Sequence, residues 1–473
     1  MQPDDDATEA SNFGGIAGQA IGLGGDIIFA ADQNYGDITT LTDNVGGILG
    51  SQYTETQMLE GATPTLTRVA NYGYISMITN GDHAGGIVGF ANDGSNITKS
   101  FNDGTVTGDM FVGGIAGNVW SSSNSAVISQ SYNSGTVESD DGNGLGTDAG
   151  GIVGIATGLT LSDVYNHGDI RFDGGDNIGG IAGQIDGDII RAYNTGDVIG
   201  QYYTGGIAGY YAGSQTTGHF GLKDSFAQAY VSGYSEESIG SISGAAFQPN
   251  DITGTYYDSQ VSGVTLCSND WDLHPANVEG CTDIAANPGS YNANAFLGNN
   301  TSQPFAGDKW DFATIWITVD DDYPRFRWDY SPNVTEITNC QELQAMRDDL
   351  EADYELANDI DCSDTVNWNG GAGFEPVGNS DDAFTGTFDG NSHQITNLYI
   401  RNTYRETGLF GMVESGEIRN LLLDAQVIGL QDETGSLIGV MDSGTVEFVQ
   451  TDGLVKSTAE GRVGGMIGEV VCY

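Results

Sequence analysis

Asp and Asn residues gather in several polar stretches of the chain, and their side chains are the ones best suited to bind a metal ion. Carboxylate and amide oxygens are hard ligands, and Ca²⁺ takes about six to eight of them. The spacing of these residues matches neither an EF-hand nor a calcium-binding β-roll, so solvated turn residues are the alternative to structural calcium. The candidate ligands are Asp140, Asp141, Asn143 and Asp148, then Asp173, Asp176 and Asn177, and then Asp320, Asp321 and Asp322.

Two pairs of tyrosines are the candidates for contact with a ligand. Tyr202 and Tyr203 form one pair, and Tyr210 and Tyr211 form the next. A tyrosine ring offers an apolar face and a polar tip, which suits a sugar surface, and calcium is a further means of bridging to a glycan. The alternative is that these rings only pack between structural repeats.

Catalytic motifs are missing from the sequence. The five His residues are dispersed, and no zinc-protease motif, nucleophile elbow or phosphate-binding loop is present. The enzymatic alternative is a β-helical polysaccharide lyase or hydrolase, in which Arg171 and Arg191 would face a sugar acid. The competing interpretation is that these arginines balance nearby aspartates. We therefore predict a protein without enzymatic activity.

Four cysteines bracket short segments outside the repeats. Cys267 and Cys281 enclose one polar loop, and Cys340 and Cys362 enclose another segment. Sequence cannot fix connectivity, but two local disulfides suit an extracellular protein. Free thiols are the alternative, and Cys472 is left over in either case.

The elements that must position these residues are repeats. An apolar or small residue followed by Gly-Gly-aliphatic-small-Gly occurs seven times in the first half, at intervals of 26 to 39 residues. Because the connecting segments contain short β-prone runs and no helical stripe, each repeat is predicted to be a few short strands. The signatures begin at Gly14, Gly46, Gly85, Gly113, Gly150, Gly179 and Gly205.

A second signature, Asn-x-Gly, alternates with the first. Its glycine is expected in the left-handed conformation. Its asparagines are interpreted either as turn formers or as a ladder in which each amide bonds to the next repeat. The six asparagines are Asn34, Asn71, Asn102, Asn133, Asn166 and Asn194.

Repeats of this length favour an all-β fold, a parallel β-helix (β-solenoid), over a propeller, whose blades are longer. The alternation of Gly-Gly-Ile-Ala-Gly with Asn-x-Gly-Thr-Val resembles the GLUG repeat of bacterial and archaeal cell-surface proteins. The segments around Tyr256–Gly263, Trp310–Trp316 and Tyr323–Trp328 resemble the module that closes such arrays, and Phe384–Leu398 resembles the opening of another. The resemblance implies a surface-exposed and usually non-enzymatic protein.

We predict three parts: a first array at 1–255, an irregular aromatic-rich closing segment at 256–330, and a second, truncated array at 331–473. Aromatic residues of the closing segment are expected to cover the open apolar end of the first array. Asn339 is a helix N-cap with Glu342 three places on, and Leu343, Met346 and Leu350 follow at helical spacing. A short capping helix is therefore expected at the start of the second array.

The chain is strongly acidic, with 65 acidic and 14 basic residues and a net charge of −51. Such a charge excludes nucleic acid as a partner and suits high salt or a calcium-bearing medium.

We expect an extracellular or cell-surface location and a piece of a longer chain. The most plausible function is the stalk or binding region of a large adhesin that contacts a glycan or protein. The alternative is a filament or surface-layer subunit that self-associates through coil ends.

Overall fold

A computed structural model describes most of the chain. The contacts divide it into two compact units, residues 1–330 and 331–473, and each unit is considered by itself. The described residues are 12–22, 28–30, 32–40, 44–54, 65–77, 81–139, 147–213, 221–234, 238–247, 251–270, 280–284, 311, 314–317, 324–328, 334–402, 405–458 and 461–471.

The first unit is a parallel β-helix, which confirms the predicted fold class. Each coil contributes strands to three sheets, and every strand pairs in parallel with its counterparts in the coils before and after. The register follows the repeat, because Gly46, Gly85 and Gly113 are direct partners along one sheet. The signature therefore marks one place in every coil.

The first strand of each coil belongs to an eight-stranded sheet, here called the glycine sheet. Its strands are Asn12–Gly14, Asn44–Gly46, His83–Gly85, Phe111–Gly113, Asp148–Gly150, Asn177–Gly179, Thr204–Gly205 and Ile239–Gly240. The last strand of each coil belongs to a seven-stranded sheet, here called the narrow sheet. Its strands are Ile38–Thr40, Ile75–Met77, Val106–Thr107, Val137–Glu138, Ile170–Arg171, Val198–Ile199 and Val231–Ser232.

The strands between them form a 22-stranded sheet, here called the wide sheet. Its strands directly after the Gly-Gly turn are Ala17–Gly22, Leu49–Thr54, Val88–Asn92, Ala116–Trp120, Val153–Asn166, Ala182–Asn194, Ala208–Tyr211, Ser243–Ala246 and Ser268–Asp270. The strands that follow in the coils are Ile28–Ala30, Gln33–Asn34, Thr65–Thr67, Ala70–Asn71, Asn96–Thr98, Phe101–Asn102, Ala126–Ser129, Tyr132–Asn133, Leu222–Lys223, Phe226–Ala227, Ile252–Thr253, Thr255–Tyr257 and Cys281–Asp283.

The aliphatic residue of the signature points into the core in every coil after the first, where Ile16 is 47% exposed. Ile48, Ile87, Ile115, Ile152 and Ile181 are fully buried and belong to one continuous cluster along the coils. Each coil thus buries its apolar side chains mainly against its neighbours, as expected for a solenoid.

The glycine of Asn-x-Gly is not left-handed, and that expectation was wrong. Gly104 has no positive φ. The Asn-x-Gly signature needs a glycine because successive coils stack closely at this position. A Cβ at Gly104 would lie 2.0 Å from the carbonyl oxygen of Gly73 in the preceding coil. Left-handed backbone occurs instead three residues before the asparagines, at non-glycine residues such as Lys99 and Arg191.

The described aromatic residues of the closing segment lie against the side of the solenoid. Trp316–Ile317 pairs antiparallel with Arg325–Phe326, and Trp316 and Phe326 are fully buried. Phe326 lies 5.4 Å from the ring of Tyr193, a residue of an internal coil. The expectation that these rings cover the open end was therefore wrong for the described residues, since stacked aromatic rings offer them an apolar surface along the side. A short helix, Ser259–Ser262, lies near the start of this segment.

The second unit is also built of parallel strands. A seven-stranded sheet contains Thr335–Ile337, Tyr354–Leu356, Ile360–Asp361, Thr387–Asp389, Gln394–Asn402, Gly416–Gly429 and Gly444–Ser457. Two smaller sheets contain Glu406–Thr407 with Glu433–Thr434, and Phe410–Val413 with Ile438–Met441 and Ile467–Val470. A 3₁₀ segment spans Met346–Asp348, and Ser363–Gly371 contains 3₁₀ turns interrupted by a kink at Trp368, Asn369 and Gly370.

The predicted capping helix is present at Cys340–Ala345. The side chain of Asn339 accepts from the backbone N–H of Gln341 and Glu342, each at 3.1 Å. Leu343 and Met346 are fully buried in the core of this unit. Within the part of the chain that the structure describes, no helix is long and apolar enough to cross a membrane.

Candidate functional site

An asparagine ladder fixes the spacing of the coils in the first unit. The Nδ2 of each asparagine donates to the Oδ1 of the next at 2.7 Å, as from Asn102 to Asn133 and from Asn133 to Asn166. The same amide donates its second hydrogen to the carbonyl of the following glycine, as from Asn133 to Gly135 at 2.7 Å. The ladder interpretation is thus confirmed. It runs through Asn34, Asn71, Asn102, Asn133, Asn166 and Asn194.

An aromatic stack runs beside the ladder. Phe101, Tyr132, Tyr165, Tyr193 and Phe226 occupy one position in successive coils, with ring centroids 4.8 to 4.9 Å apart and nearly parallel planes. Sequence reasoning missed this stack, although the recurring ring directly before the asparagine was its signal. Together the asparagine ladder and the aromatic stack hold the coils at a constant spacing, so side chains on the outer faces lie in straight columns.

The wide sheet presents two such columns on its outer face directly after the Gly-Gly turn. Register places the members of each column side by side in consecutive coils. The inner column contains Phe90, Asn118, Ile155, Gln184 and Tyr210. The outer column, here called the tryptophan column, contains Asn92, Trp120, Thr157 and Asp186.

A third column comes from the glycine sheet and contacts the inner column. It contains Asn44, His83, Phe111, Asp148 and Asn177. His83 connects the two, because its Nδ1 lies 2.7 Å from Oδ1 of Asn44 and its Nε2 lies 3.0 Å from Nδ2 of Asn118. The ring of His83 also stacks on Phe111, with centroids 5.4 Å apart. Amides and aromatic rings therefore lie close together where these two columns meet, a combination that suits a polar ligand with apolar faces.

The four predicted ligand-binding tyrosines divide between surface and core. Tyr202 is 43% exposed and its ring lies 6.3 Å from Tyr234, which is 77% exposed. Tyr203 and Tyr210 are half-buried, with centroids 5.9 Å apart. Tyr211 is fully buried in the core. Tyr211 is therefore corrected to a packing residue, since no ligand reaches a side chain enclosed between coils.

Of the predicted calcium ligands, the structure brings together Asp148, Asp176 and Asn177. Asp140, Asp141, Asn143 and Asp320 to Asp322 lie outside the described residues. Asp173 is exposed, and Asp176 is half-buried beside Asn177. Over the described ranges, no three His, Cys, Asp or Glu side chains are grouped to hold a metal ion. Calcium stays a prediction.

Asp148 belongs to the column of the glycine sheet and is buried. Its Oδ1 accepts from Nδ2 of Asn177 at 2.6 Å. Burial raises the pKa of Asp148 to about 6, and the bond from Asn177 only partly offsets this. The carboxyl group is therefore positioned by its neighbour and is costly to ionise.

The arginines considered for a lyase site are held by aspartates. Arg191 makes a bidentate pair with Asp163 in the preceding coil, at 2.6 and 2.7 Å. Arg171 pairs with Asp169 at the surface. Both guanidinium groups thus balance neighbouring carboxylates, which is the interpretation that competed with the catalytic one.

The four bracketing cysteines form two pairs in the structure. The sulfur atoms of Cys267 and Cys281 are bonded, as are those of Cys340 and Cys362. Cys472 lies outside the described residues. The first pair links Cys267, directly before the strand Ser268–Asp270, to the strand Cys281–Asp283 at the end of the wide sheet. The second pair links the capping helix to Cys362, directly after the strand Ile360–Asp361.

Comparison with known proteins gives two partial matches. A stretch of 143 residues, 28% of this chain, is 38% identical to halomucin of Haloquadratum walsbyi and amounts to 2% of that protein. A stretch of 104 residues, 20% of the chain, is 35% identical to a putative Gly-rich membrane protein of Evansella cellulosilytica and amounts to 12% of it. No sequence model of a protein family matches the chain, and no solved structure matches it.

The chain therefore matches only a small part of the length of these relatives. The similarity supports distant, partial homology, and the resemblance to GLUG repeats stays a hypothesis.

Proposed function

We propose that this chain is a non-enzymatic extracellular scaffold, the stalk or binding region of a large adhesin that contacts glycans. The observation that carries the proposal is the set of straight outer columns in which aromatic, amide and hydroxyl side chains are held in register by the asparagine ladder. Such a surface presents polar and aromatic side chains at a constant interval, which suits a ligand that is itself a repeating polymer.

A surface location is supported by two separate observations. The paired cysteines suit an oxidising environment. One partial relative is named a putative Gly-rich membrane protein, and the other, halomucin, is far longer than this chain. A net charge of −51 further suits a protein that stays hydrated in a salt-rich medium.

A filament or surface-layer subunit is the second candidate. Strand Gly444–Ser457 pairs on one side with Gly416–Gly429, and no described strand lies on its other side. Leu454 and Val470 in this region are 49% and 57% exposed. Unpaired strand edges with apolar side chains favour association with another chain, and a second copy would supply the matching coil end.

Retention of the chain on immobilised polysaccharides, in calcium and in chelator, tests these proposals together with an assay for new sugar ends. Retention without cleavage supports the adhesin proposal, and loss in chelator adds calcium to it. Release of sugar ends contradicts the non-enzymatic part and favours a lyase or hydrolase. If the chain is not retained on the polysaccharides and releases no sugar ends, but self-associates as its concentration rises, the filament subunit is favoured.

A further inference from the structure

Trp120 is the most exposed of the described tryptophans of the first unit. It ends the strand Ala116–Trp120, whose Ala116 and Val119 are buried in the core, while its own side chain is 49% exposed. Within the described residues Trp120 belongs to none of the hydrophobic clusters. Packing in the fold does not explain an indole at this position.

The turn that follows Trp120 is rigid. The carboxylate of Asp93, in the preceding coil, accepts from the hydroxyl groups of Ser121, Ser122 and Ser123 and from the backbone N–H of Ser123, at 2.9 to 3.2 Å. Burial would raise the pKa of Asp93, but these hydrogen bonds outweigh it and lower the pKa. The turn is thus held by an ionised carboxylate, and Trp120 stands on a strand with little freedom to move.

Register places polar side chains directly beside the indole. Asn92 is its partner in the preceding coil, Thr157 in the following coil, and Asp186 comes one coil further. All three are half-buried and lie on the outer face. An aromatic platform flanked by an amide and a hydroxyl, with a carboxylate one coil further, contains the groups that bind a sugar ring, because C–H groups pack on the aromatic face and hydroxyl groups bond to the polar neighbours.

The spacing of successive coils and the negative charge near the tryptophan column limit the class of ligand that this column can bind. Successive coils are separated by the strand spacing of about 4.8 Å, close to the length of one hexopyranose unit in an extended chain. Asp93 lies at the turn after Trp120, Asp186 lies two coils along the column, and the whole chain carries a charge of −51, so glycans with carboxylate or sulfate groups are repelled.

We propose that the tryptophan column, Asn92, Trp120, Thr157 and Asp186, is a binding subsite for an extended, uncharged hexopyranose polymer that runs along the solenoid axis and stacks one ring on Trp120. This inference rests on the proposed glycan-binding function and gives it a site that differs from the tyrosines at Tyr202 and Tyr210.

The test uses the full chain and isothermal titration with three hexasaccharides: a neutral β-1,4-glucan, a neutral β-1,3-glucan and an oligogalacturonate. We expect a neutral glucan to bind and the uronate to bind more weakly. Trp120→Ala is expected to weaken the binding about tenfold, the usual range for loss of one aromatic stacking partner, and Trp120→Tyr is expected to retain part of it. Tyr230→Ala is the matched control, because Tyr230 is 48% exposed and precedes a strand of the narrow sheet, and we expect its affinity to stay within about twofold.

Undiminished binding by Trp120→Ala would overturn this inference while leaving the proposed glycan-binding function intact. Stronger binding of the uronate would overturn the ligand class. A wild-type chain that binds none of the three sugars would overturn this inference, and if it is also not retained on any immobilised polysaccharide, the glycan-binding function fails with it.

Discussion

At the scale of single residues, the asparagine ladder depends on donors that only an amide supplies. Asn133 donates to Gly135 and Asn166 and accepts from Asn102, and it is fully buried. Asn133→Asp keeps the shape but removes both donors and buries a charge, so we expect the free energy of unfolding to fall by about 2–4 kcal/mol. Urea denaturation measures this loss. Asn96→Asp on the half-exposed outer face is the control, and an equal loss there would contradict the ladder's role.

Asp148 makes stability depend on pH. Its folded-state pKa of about 6 lies above the value of about 3.9 for an unfolded aspartate, so the folded chain holds a proton that the unfolded chain releases. The stabilisation by this proton is present near pH 4 and is lost as the pH rises through about 6. We expect Asp148→Asn to exceed wild type by up to about 3 kcal/mol at pH 7. Unfolding curves from about pH 4 to 7 check this, with exposed Asp173→Asn as control. A difference that does not change with pH would refute the assignment.

At the scale of the elements, glycine in the Asn-x-Gly turn is required by the coil beneath it. A Cβ at Gly104 would meet the Gly73 carbonyl oxygen at 2.0 Å, whereas at Gly36, in the first described coil, its nearest neighbour is 3.7 Å away. Gly104→Ala is therefore expected to cost about 3 kcal/mol or more, and Gly36→Ala less than about 1 kcal/mol. Thermal unfolding of the two variants compares one motif position in two environments. Similar costs would show that conformation, rather than stacking, selects this glycine.

The sequence predicted those parts of the fold that recur in every coil. Gly-Gly and Asn-x-Gly repeat with a short period, so they identified the β-helix, and the N-cap at Asn339 identified a helix. The path of Trp316 and Phe326 along the side could not be predicted, since it depends on a stack of rings from distant coils. Trp120 was missed for a related reason. It occurs in one coil, and its neighbours Asn92 and Thr157 become adjacent only through the register.

At the scale of the whole molecule, the dominant quantity is charge. With 65 acidic and 14 basic residues, self-repulsion opposes the compact state, and salt screens it. We expect the midpoint of thermal unfolding to rise steadily when NaCl increases from about 0.05 to 1 M. Repeating the measurement with CaCl₂ at equal ionic strength distinguishes a specifically bound calcium ion from general screening. Only a bound ion is expected to raise the unfolding midpoint further at millimolar concentration. A midpoint independent of NaCl would mean that repulsion contributes little to stability.

The direction of the backbone hydrogen bonds determines how the first unit responds to force. Bonds between coils, such as those from Gly86 to Gly113 and from Ile87 to Ile115, point along the axis of the stack. Tension applied between its two ends pulls on these bonds one coil at a time, so the coils peel apart in sequence and each releases a short length of chain. Bending and compression load many bonds together. Such a rod is stiff when pushed and yields in small steps when pulled, which would let a tether between two surfaces dissipate a sudden load.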